Sequence, residues 1–480
     1  MVRLCYLFLL LFLGEAAEAA QIYGRITDES GEALAFAAIV VEGATQGTTT
    51  NLEGYYALTL APGRYTLVYQ YLGYEARRVP IEVLEQDQEI NVQLTKTSYQ
   101  LEVVTVRPGD EDPAYEIIRQ AQVRRKYYRE EEFNTYQCNI YTKIFAKSTR
   151  NEGAINIFGA KSEISPGVFY LSEAFSQLSF RQKNDNHEIV LASKVSGDSS
   201  NYSYNRANWL NFYNNQSLRM NDQGIYSPIG EQAMQHYRYK LEGTQEENGR
   251  KIHKIQMMPK YKGAPVFTGF VYILDQSWRI HSVDANVAPN VVPSFDSSAI
   301  RQIYVPIAAT EVWVPFTFTS YFQVYNGQVQ AYYHAIATDY TLNPDLPDSL
   351  FKNEVLRYAP DAGQKGEDYW ETLRPIPLTE EEEGEYGKSD LMAPEENLDF
   401  SVEDDLDPST TQPPGDPFNI ARLLFANTTL TMGNHTSIRF DPLINIPNFN
   451  TVEGWRLAYQ FTFTYQNNPA RLFSLTPYFR

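Results

Sequence analysis

The sequence predicts a mainly β protein in three parts: a small antiparallel sandwich, an antiparallel meander with a short helix before it, and the start of a C-terminal outer-membrane β-barrel. Three observations predict it. Short alternating runs punctuated by glycine and proline fill residues 21–97, and longer period-two runs joined by Asn-Gly pairs fill residues 133–360. Trp455 to Gln466 then sets large apolar side chains at every second position, with Arg, Ala, Gln and Thr between them.

Residues 1–20 read as a secretion signal. Arg3 supplies the positive n-region, Leu4 to Leu13 an apolar stretch too short to span a bilayer as a helix, and Ala17-Glu18-Ala19 a small-x-small cleavage site. Cys5 falls inside this leader, which leaves Cys138 as the mature chain's one thiol and no internal disulfide. Stability therefore rests on packed cores.

Residues 21–97 carry strand runs at Ile22 to Ile26, Ala38 to Val41, Tyr55 to Leu60, Tyr65 to Tyr71 and Ile90 to Leu94. Turn signals every eight to twelve residues or so imply a sandwich. Asn51-Leu52-Glu53-Gly54 calls for a positive φ at Gly54, and Pro62-Gly63 fits the centres of a type II turn. Gly24, Asp28, Gly31, Leu34, Ala37, Val41, Gly43, Gly47-Thr48, Asn51, Gly54-Tyr55-Tyr56, Pro62-Gly63-Arg64-Tyr65 and Gly73-Tyr74 together resemble the carboxypeptidase regulatory-like family. That resemblance implies a transthyretin-like β-sandwich.

It does not imply peptidase chemistry. A zinc carboxypeptidase needs His-x-x-Glu and a distant His, and none of the six histidines has Glu three residues on. His281-Ser282-Val283-Asp284 comes nearest, on an alternating strand. The phosphate-loop, dinucleotide, Gly-x-Ser-x-Gly and paired Cys-x-x-Cys motifs are also missing, and Cys138 sits in a strand-like run. The chain is read as non-enzymatic, with no catalytic, cofactor or metal residue.

Residues 98–132 form a connector and helix. Asp112-Pro113 supplies an N-cap and an N1 proline for a helix over Ala114 to Arg129. Its basic run, Arg124-Arg125-Lys126, fits the helix dipole, with contact to an anionic membrane surface as the other reading. Across residues 133–360, Asn248-Gly249, Asp275-Gln276 and Asn326-Gly327 mark tight connections, so successive strands form an antiparallel meander. Tyr202, Tyr204, Trp209, Phe212 and Tyr213 form an aromatic insert, readable as a ligand surface or as packing.

Residues 361–417 read as an acidic, proline-containing linker. From Glu380 to Asp407 thirteen carboxylates face one lysine, Lys388, in a chain of net charge −19. Such a run repels itself and is expected to stay solvated, and it shows no calcium-loop spacing. An acidic exported chain without a basic stripe also argues against nucleic acid.

Residues 418–480 read as the start of the barrel. The run from Trp455 suits the roughly 9 to 11 residues of a tilted membrane strand. Trp455, Leu457, Tyr459, Phe461, Phe463 and Tyr465 are expected to face lipid, and Arg456, Gln460 and Thr462 the lumen. One hairpin cannot close a barrel, so the 480 residues read as the front of a longer protein.

Asp112 to Arg119, Lys194 to Asp198, Asn211 to Asn215, Tyr239 to Thr244, Trp278 to Val283, Trp370 to Leu378 and Phe449 to Gly454 resemble the Bacteroidota family labelled domain of unknown function 5686. The resemblance implies an outer-membrane barrel protein with periplasmic N-terminal domains, serving envelope transport or assembly. A surface-exposed adhesion or glycan-binding protein is the alternative. Expected partners are outer-membrane lipid and an envelope polymer, lipid or glycan.

Overall fold

The computed structural model describes residues 19–97, 111–130, 132–150, 154–157, 160–163, 166–181, 185–196, 210–220, 223–247, 249–287, 295–307, 310, 312–351, 355–392, 428–432, 436–440, 447–450, 454–457, 459–468, 471–475 and 478–479. Residues 1–18, most of the segment expected to be a secretion signal, the connector 98–110, Tyr202, Tyr204, Trp209 and the later acidic stretch lie outside these residues.

The sandwich is built from β1 (Ala20–Asp28), β2 (Ala38–Val41), β3 (Gly47–Thr49), β4 (Tyr55–Leu60), β5 (Gly63–Gln70), β6 (Arg77–Val83), β7 (Gln88–Glu89) and β8 (Val92–Leu94). One sheet runs β4-β1-β7, with β8 also on β1, and the other runs β3-β2-β5-β6. Ile22, Ile26, Ile39, Tyr56, Leu58, Leu67 and Tyr69 fill the space between them. Gly24 is required by close approach, since a Cβ there would lie 2.1 Å from the Ile90 carbonyl oxygen.

The turn expectations divide. Gly54 has the expected positive φ, 84°. Gly63 does not; it is the first residue of β5, paired with Val83. The type II reading of Pro62-Gly63 is thereby corrected. β4 and β5 belong to different sheets, and the chain crosses over between them at this point.

Helix α1 (Pro113–Glu130) starts where the N-cap signal placed it. The Asp112 carboxylate accepts from the backbone N–H of Ala114 at 2.9 Å and also from that of Leu241 at 2.9 Å, so one side chain caps the helix and ties it to the meander.

The meander comprises β9 (Thr135–Ser148), a small hairpin of β10 (Ala154–Ile157) and β11 (Ala160–Glu163), then β12 (Gly167–Arg181) and β13 (Asp185–Val195). A second small hairpin, β14 (Gln216–Met220) and β15 (Gln223–Tyr226), precedes β16 (Tyr237–Glu247), β17 (Arg250–Pro259), β18 (Phe267–Leu274), β19 (Ile280–Val287), β20 (Ser297–Pro306), β21 (Trp313–Val324), β22 (Val329–Leu342) and β23 (Leu356–Tyr358). One eleven-stranded sheet results, in the order β16-β17-β18-β19-β20-β21-β22-β9-β12-β13-β23. The Asn326-Gly327 turn has φ values of 55° and 75°, as a type I′ hairpin demands.

Both faces of this sheet are covered. Ile118 and Ala121 of α1, with Phe212, Tyr213 and Ile225, pack on Tyr239, Ile255, Val271 and Val283. The described part of the aromatic insert is therefore core. On the opposite parity, Tyr141, Ile303, Phe316 and Ile336 meet Ala38 and Val40 of the sandwich and Trp370 and Ile376 of the next segment. Trp370 lies in α2 (Glu367–Leu373), which α3 (Glu380–Met392) follows.

The C-terminal strands are β24 (Thr428–Met432), β25 (Thr436–Phe440), β26 (Pro447–Asn450), β27 (Gly454–Leu457), β28 (Tyr459–Asn468), β29 (Arg471–Leu475) and β30 (Tyr478–Phe479). Antiparallel pairing orders them β24-β25-β28-β29, with β30 also on β28 and β26 paired separately with β27.

Candidate functional site

Three places concentrate chemistry: the seam between sandwich and meander, the dock of α2 and α3, and the faces of the C-terminal sheet.

At the seam, Phe36 adopts a left-handed backbone (φ 61°) and stacks on His334 with centroids 4.5 Å apart. His334 is fully buried, its Nε2 3.0 Å from Thr49 Oγ1 and its Nδ1 2.7 Å from Thr319 Oγ1. Burial, reinforced by the charge of Lys143, pulls the His334 pKa from its ordinary 6.5 down to about 3. A neutral imidazole thus bridges the two units.

A cleft of about 220 Å³ opens along this seam, with Gln70 and Arg78 on the sandwich side and Glu247, His281 and Trp313 on the meander side. Gln70 Nε2 donates to Glu247 Oε1 at 3.1 Å, and the other Glu247 oxygen lies 3.8 Å from His281 Nε2. Burial works against ionisation of Glu247, but the neighbouring His281 and Arg78 hold its carboxyl below the usual carboxylate range. The lining has hydrogen-bonding groups but no serine, threonine or cysteine to act as a nucleophile. A second cleft, of about 260 Å³, lies between Gln46 and Leu58 on one side and Tyr141, Phe175 and Arg374 on the other.

The acidic segment is docked on one side where it is described: Glu380, Glu381 and Glu383 are exposed, but Glu382 and Tyr386 are buried. Thr379 and Glu382 form a reciprocal capping box: Thr379 Oγ1 accepts from the Glu382 N–H at 3.3 Å and the Thr379 N–H donates to Glu382 Oε2 at 3.0 Å. Glu382 is then buried, with Lys143 Nζ at 3.0 Å and the Tyr332 hydroxyl at 2.5 Å. Arg374 grips the fully buried Glu173 through two donors at 2.9 and 3.0 Å, and Tyr141 donates to the same carboxylate. Burial alone would raise the Glu173 pKa; Lys143 and Arg374 outweigh it and hold the carboxyl below its ordinary range. The solvated-linker expectation is corrected over Glu380–Met392, which is helical and is anchored where buried Glu382 pairs with buried Lys143 of the sheet. Residues 393–417 lie outside the described residues.

Cys138 is buried beside Ile140 and Leu178, and burial pushes its thiol up, which keeps it protonated. Among the described residues no group of three or more His, Cys, Asp or Glu is arranged to hold a metal. The basic run splits: Arg125 turns inward to the Tyr213 carbonyl, Asn215 and Glu231, while Arg124 and Lys126 are exposed.

In the C-terminal sheet, register shows which positions share a face. Ile438 is opposite Phe463 and Phe440 opposite Phe461. Phe463 is in turn opposite Leu475, Tyr465 opposite Phe473, and Tyr459 opposite Phe479. The other face places Thr429 opposite Arg439 and Arg439 opposite Thr462, with Ser437 opposite Thr464 and Thr464 opposite Ser474. Of the six positions expected to face lipid, Tyr459, Phe461, Phe463 and Tyr465 lie on β28, while Trp455 and Leu457 lie on β27, which pairs with β26.

Three family models match this chain. The CarboxypepD_reg-like domain matches residues 22–106, the family of unknown function (DUF5686) residues 117–340, and the C-terminal domain of that family residues 421–480. The chain is 34% identical over 83 residues to TonB-dependent receptor P39 of Formosa agariphila, covering 16% of this chain and 8% of the receptor. It is 32% identical over 90 residues to TonB-dependent receptor P26 of the same organism, covering 19% and 9%. It thus spans less than a tenth of the length of these relatives. Among solved structures, a DUF1329 family protein from Desulfovibrio piger covers 50% of this chain and 98% of its own at 13% identity and a TM-score of 0.24. A LolA superfamily protein from Nitrosomonas europaea covers 50% and 97% at 11% identity and a TM-score of 0.20. Those scores are too low to equate the folds. The sequence models do better, for the two that describe one family take in most of the eleven-stranded sheet and the whole C-terminal sheet: the chain belongs to the family of unknown function DUF5686 and carries a CarboxypepD_reg-like domain ahead of it.

Proposed function

We propose that this chain is a non-enzymatic outer-membrane β-barrel protein whose sandwich and meander stand in the periplasm and serve transport or assembly in the envelope. The observation that carries the reading is the two-faced C-terminal sheet. Leu430, Ile438, Phe440, Phe461, Phe463, Phe473, Leu475 and Phe479 share one face, which has Thr428, Thr436 and Arg471 at the first positions of their strands, and Thr429, Thr431, Ser437, Arg439, Thr462, Thr464 and Ser474 share the other. A sheet in lipid needs this division, since side chains alternate between hydrocarbon and lumen and every backbone group must pair with a neighbouring strand. The likeness to two TonB-dependent receptors, which are outer-membrane proteins, supports the location.

The test places arginine on each face of the full-length protein in bilayers. Phe461→Arg is expected to cost about 2–4 kcal/mol of folding stability, and Thr462→Arg close to nothing, because charge is penalised by depth on the lipid face alone. Equal tolerance at both positions sinks the membrane reading and leaves a soluble sheet.

A further inference from the structure

The outer face of the sandwich sheet β4-β1-β7 forms a grid of side chains that the core does not use. Burial alternates along its strands, so Ile22, Ile26, Tyr56 and Leu58 turn inward, while Gln21, Tyr23, Arg25, Tyr55, Ala57 and Thr59 turn away from the core. Register sets Arg25 opposite Tyr55, Tyr23 opposite Ala57 and Gln21 opposite Thr59, and Glu89 of β7 flanks Tyr23 on its other side. The two tyrosines are thus diagonal neighbours across one strand pair, with Cα atoms about 7–8 Å apart. They are 41% and 45% exposed. A single exposed tyrosine is ordinary on a protein surface, but two adjoining ones that lead into a cleft mark an interaction site. Gln21, Ala57 and Thr59 continue the grid as one wall of the cleft of about 260 Å³, with Thr338, Asp339 and Thr372 across it.

We infer that this groove binds an uncharged glycan chain, with sugar rings stacked on Tyr23 and Tyr55 and a further unit in the cleft. The lining sets the ligand class. A sugar ring is apolar on its faces and carries hydroxyls around its rim, so it needs a flat apolar surface beside fixed hydrogen-bonding groups. Both are present. Arg25 braces the Tyr55 ring, its guanidinium carbon 5.4 Å from the centroid. Glu89 accepts from Asn91 Nδ2 at 2.8 Å and Asp87 from the Gln21 N–H at 2.8 Å, so one oxygen orients each carboxylate and the other has no partner among the described residues. In the cleft one Asp339 oxygen accepts from Asn139 and Thr338 at 3.1 and 3.0 Å, with the same consequence. These free oxygens accept from hydroxyls. Charge narrows the class further: Arg25 opposes a cationic partner at the platform, Asp87, Glu89 and Asp339 oppose a polyanion, and Arg374 in the cleft is already held by Glu173 and Glu367. The groove lies on the N-terminal units, so it stands or falls separately from the membrane reading of the C-terminal sheet.

The experiment titrates the full-length protein, held in a sugar-free detergent, with maltohexaose, cellohexaose, chitohexaose and a hexamer of galacturonic acid, and reads binding by calorimetry. At least one neutral hexamer binds, and the acidic hexamer does not. Tyr23→Ala and Tyr55→Ala each lower the affinity about tenfold, and Gln21→Ala lowers it less. Tyr23→Phe keeps the affinity, because the ring remains. Val123→Ala removes an apolar side chain that is 76% exposed on α1 and leaves binding unchanged, so exposure alone does not make the site. The melting temperature of each variant stays at the parent value, since none of these side chains belongs to a core. Silence from all three neutral hexamers overturns the inference. Binding that survives both alanine variants overturns the site, and tighter binding of the galacturonic acid hexamer overturns the uncharged ligand. Binding of hexalysine with no sugar bound reassigns the groove to a basic peptide and overturns the glycan.

Discussion

The eleven-stranded sheet and the C-terminal sheet are written in the same period-two alternation, yet they place charge in opposite ways. The first is covered on both sides, and the face under the sandwich, α2 and α3 contains Lys143 and Glu173 beside Tyr141 and Phe145. Each charge is tolerated because the covering segment brings its partner, Glu382 for Lys143 and Arg374 for Glu173. Among the described positions of the C-terminal sheet, Arg439 lies on the face away from Phe461, and the charged residue that shares the Phe461 face, Arg471, stands at the first position of β29. A covered face can buy specificity with paired charges. A face proposed to meet lipid has no covering segment to supply a partner, and its polar residues Thr428, Thr436 and Arg471 each stand at the first position of a strand, leaving the strand middles apolar.

The strongest way to break that contrast is to strip one charge of its partner. Glu382→Ala leaves Lys143 buried without its hydrogen-bonded carboxylate, and chemical denaturation of the full-length protein should show a loss of about 3 kcal/mol, with amide exchange rising across α3. Deleting the exposed Arg64–Glu82 pair should leave the midpoint unchanged, since both side chains are largely solvated. A small loss from Glu382→Ala would show that the dock is not what holds the acidic segment.

The next effect concerns acidity at the seam. The His334 pKa lies near 3 in the fold, against an ordinary 6.5, so between those values the unfolded chain binds a proton that the folded one refuses. Stability at this residue is complete above about pH 6.5 and falls steadily as pH drops toward about 3. His334→Gln should flatten the pH dependence of the melting temperature across that window. An unchanged slope would mean that the imidazole is not sealed in the seam.

The smallest effect sharpens the reading of α3. Gly384 lies within the helix with open space around its Cα, so Gly384→Ala should stabilise the protein by about 0.5–1 kcal/mol. A solvated linker would gain nothing.

Much of this architecture was legible in the sequence, for local reasons. Asp112-Pro113 announces α1, and Asn326-Gly327 announces a hairpin, because each fixes backbone geometry by its own chemistry. Pro62-Gly63 misleads because a turn signal does not say which sheet the chain enters next. The docked sandwich face had a signal too: Ala38-Ile39-Val40-Val41 is apolar on both parities, which a strand covered on both faces requires. The acidic dock was hidden by arithmetic. Thr379-Glu380-Glu381-Glu382 is a capping box in plain sight, but thirteen carboxylates counted together read as repulsion, while one of them was bound for Lys143 across the fold. The seam cleft of Gln70, Glu247 and His281 joins residues from distant segments, and no spacing along the chain brings them together.

The central claim, an outer-membrane protein with its sandwich and meander on the periplasmic side, is tested most directly by protease added to intact cells. The account predicts that residues 21–360 stay uncut until the outer membrane is permeabilised, and are then cleaved. Loss of that region from intact cells would contradict the account and favour the surface-exposed, adhesive alternative.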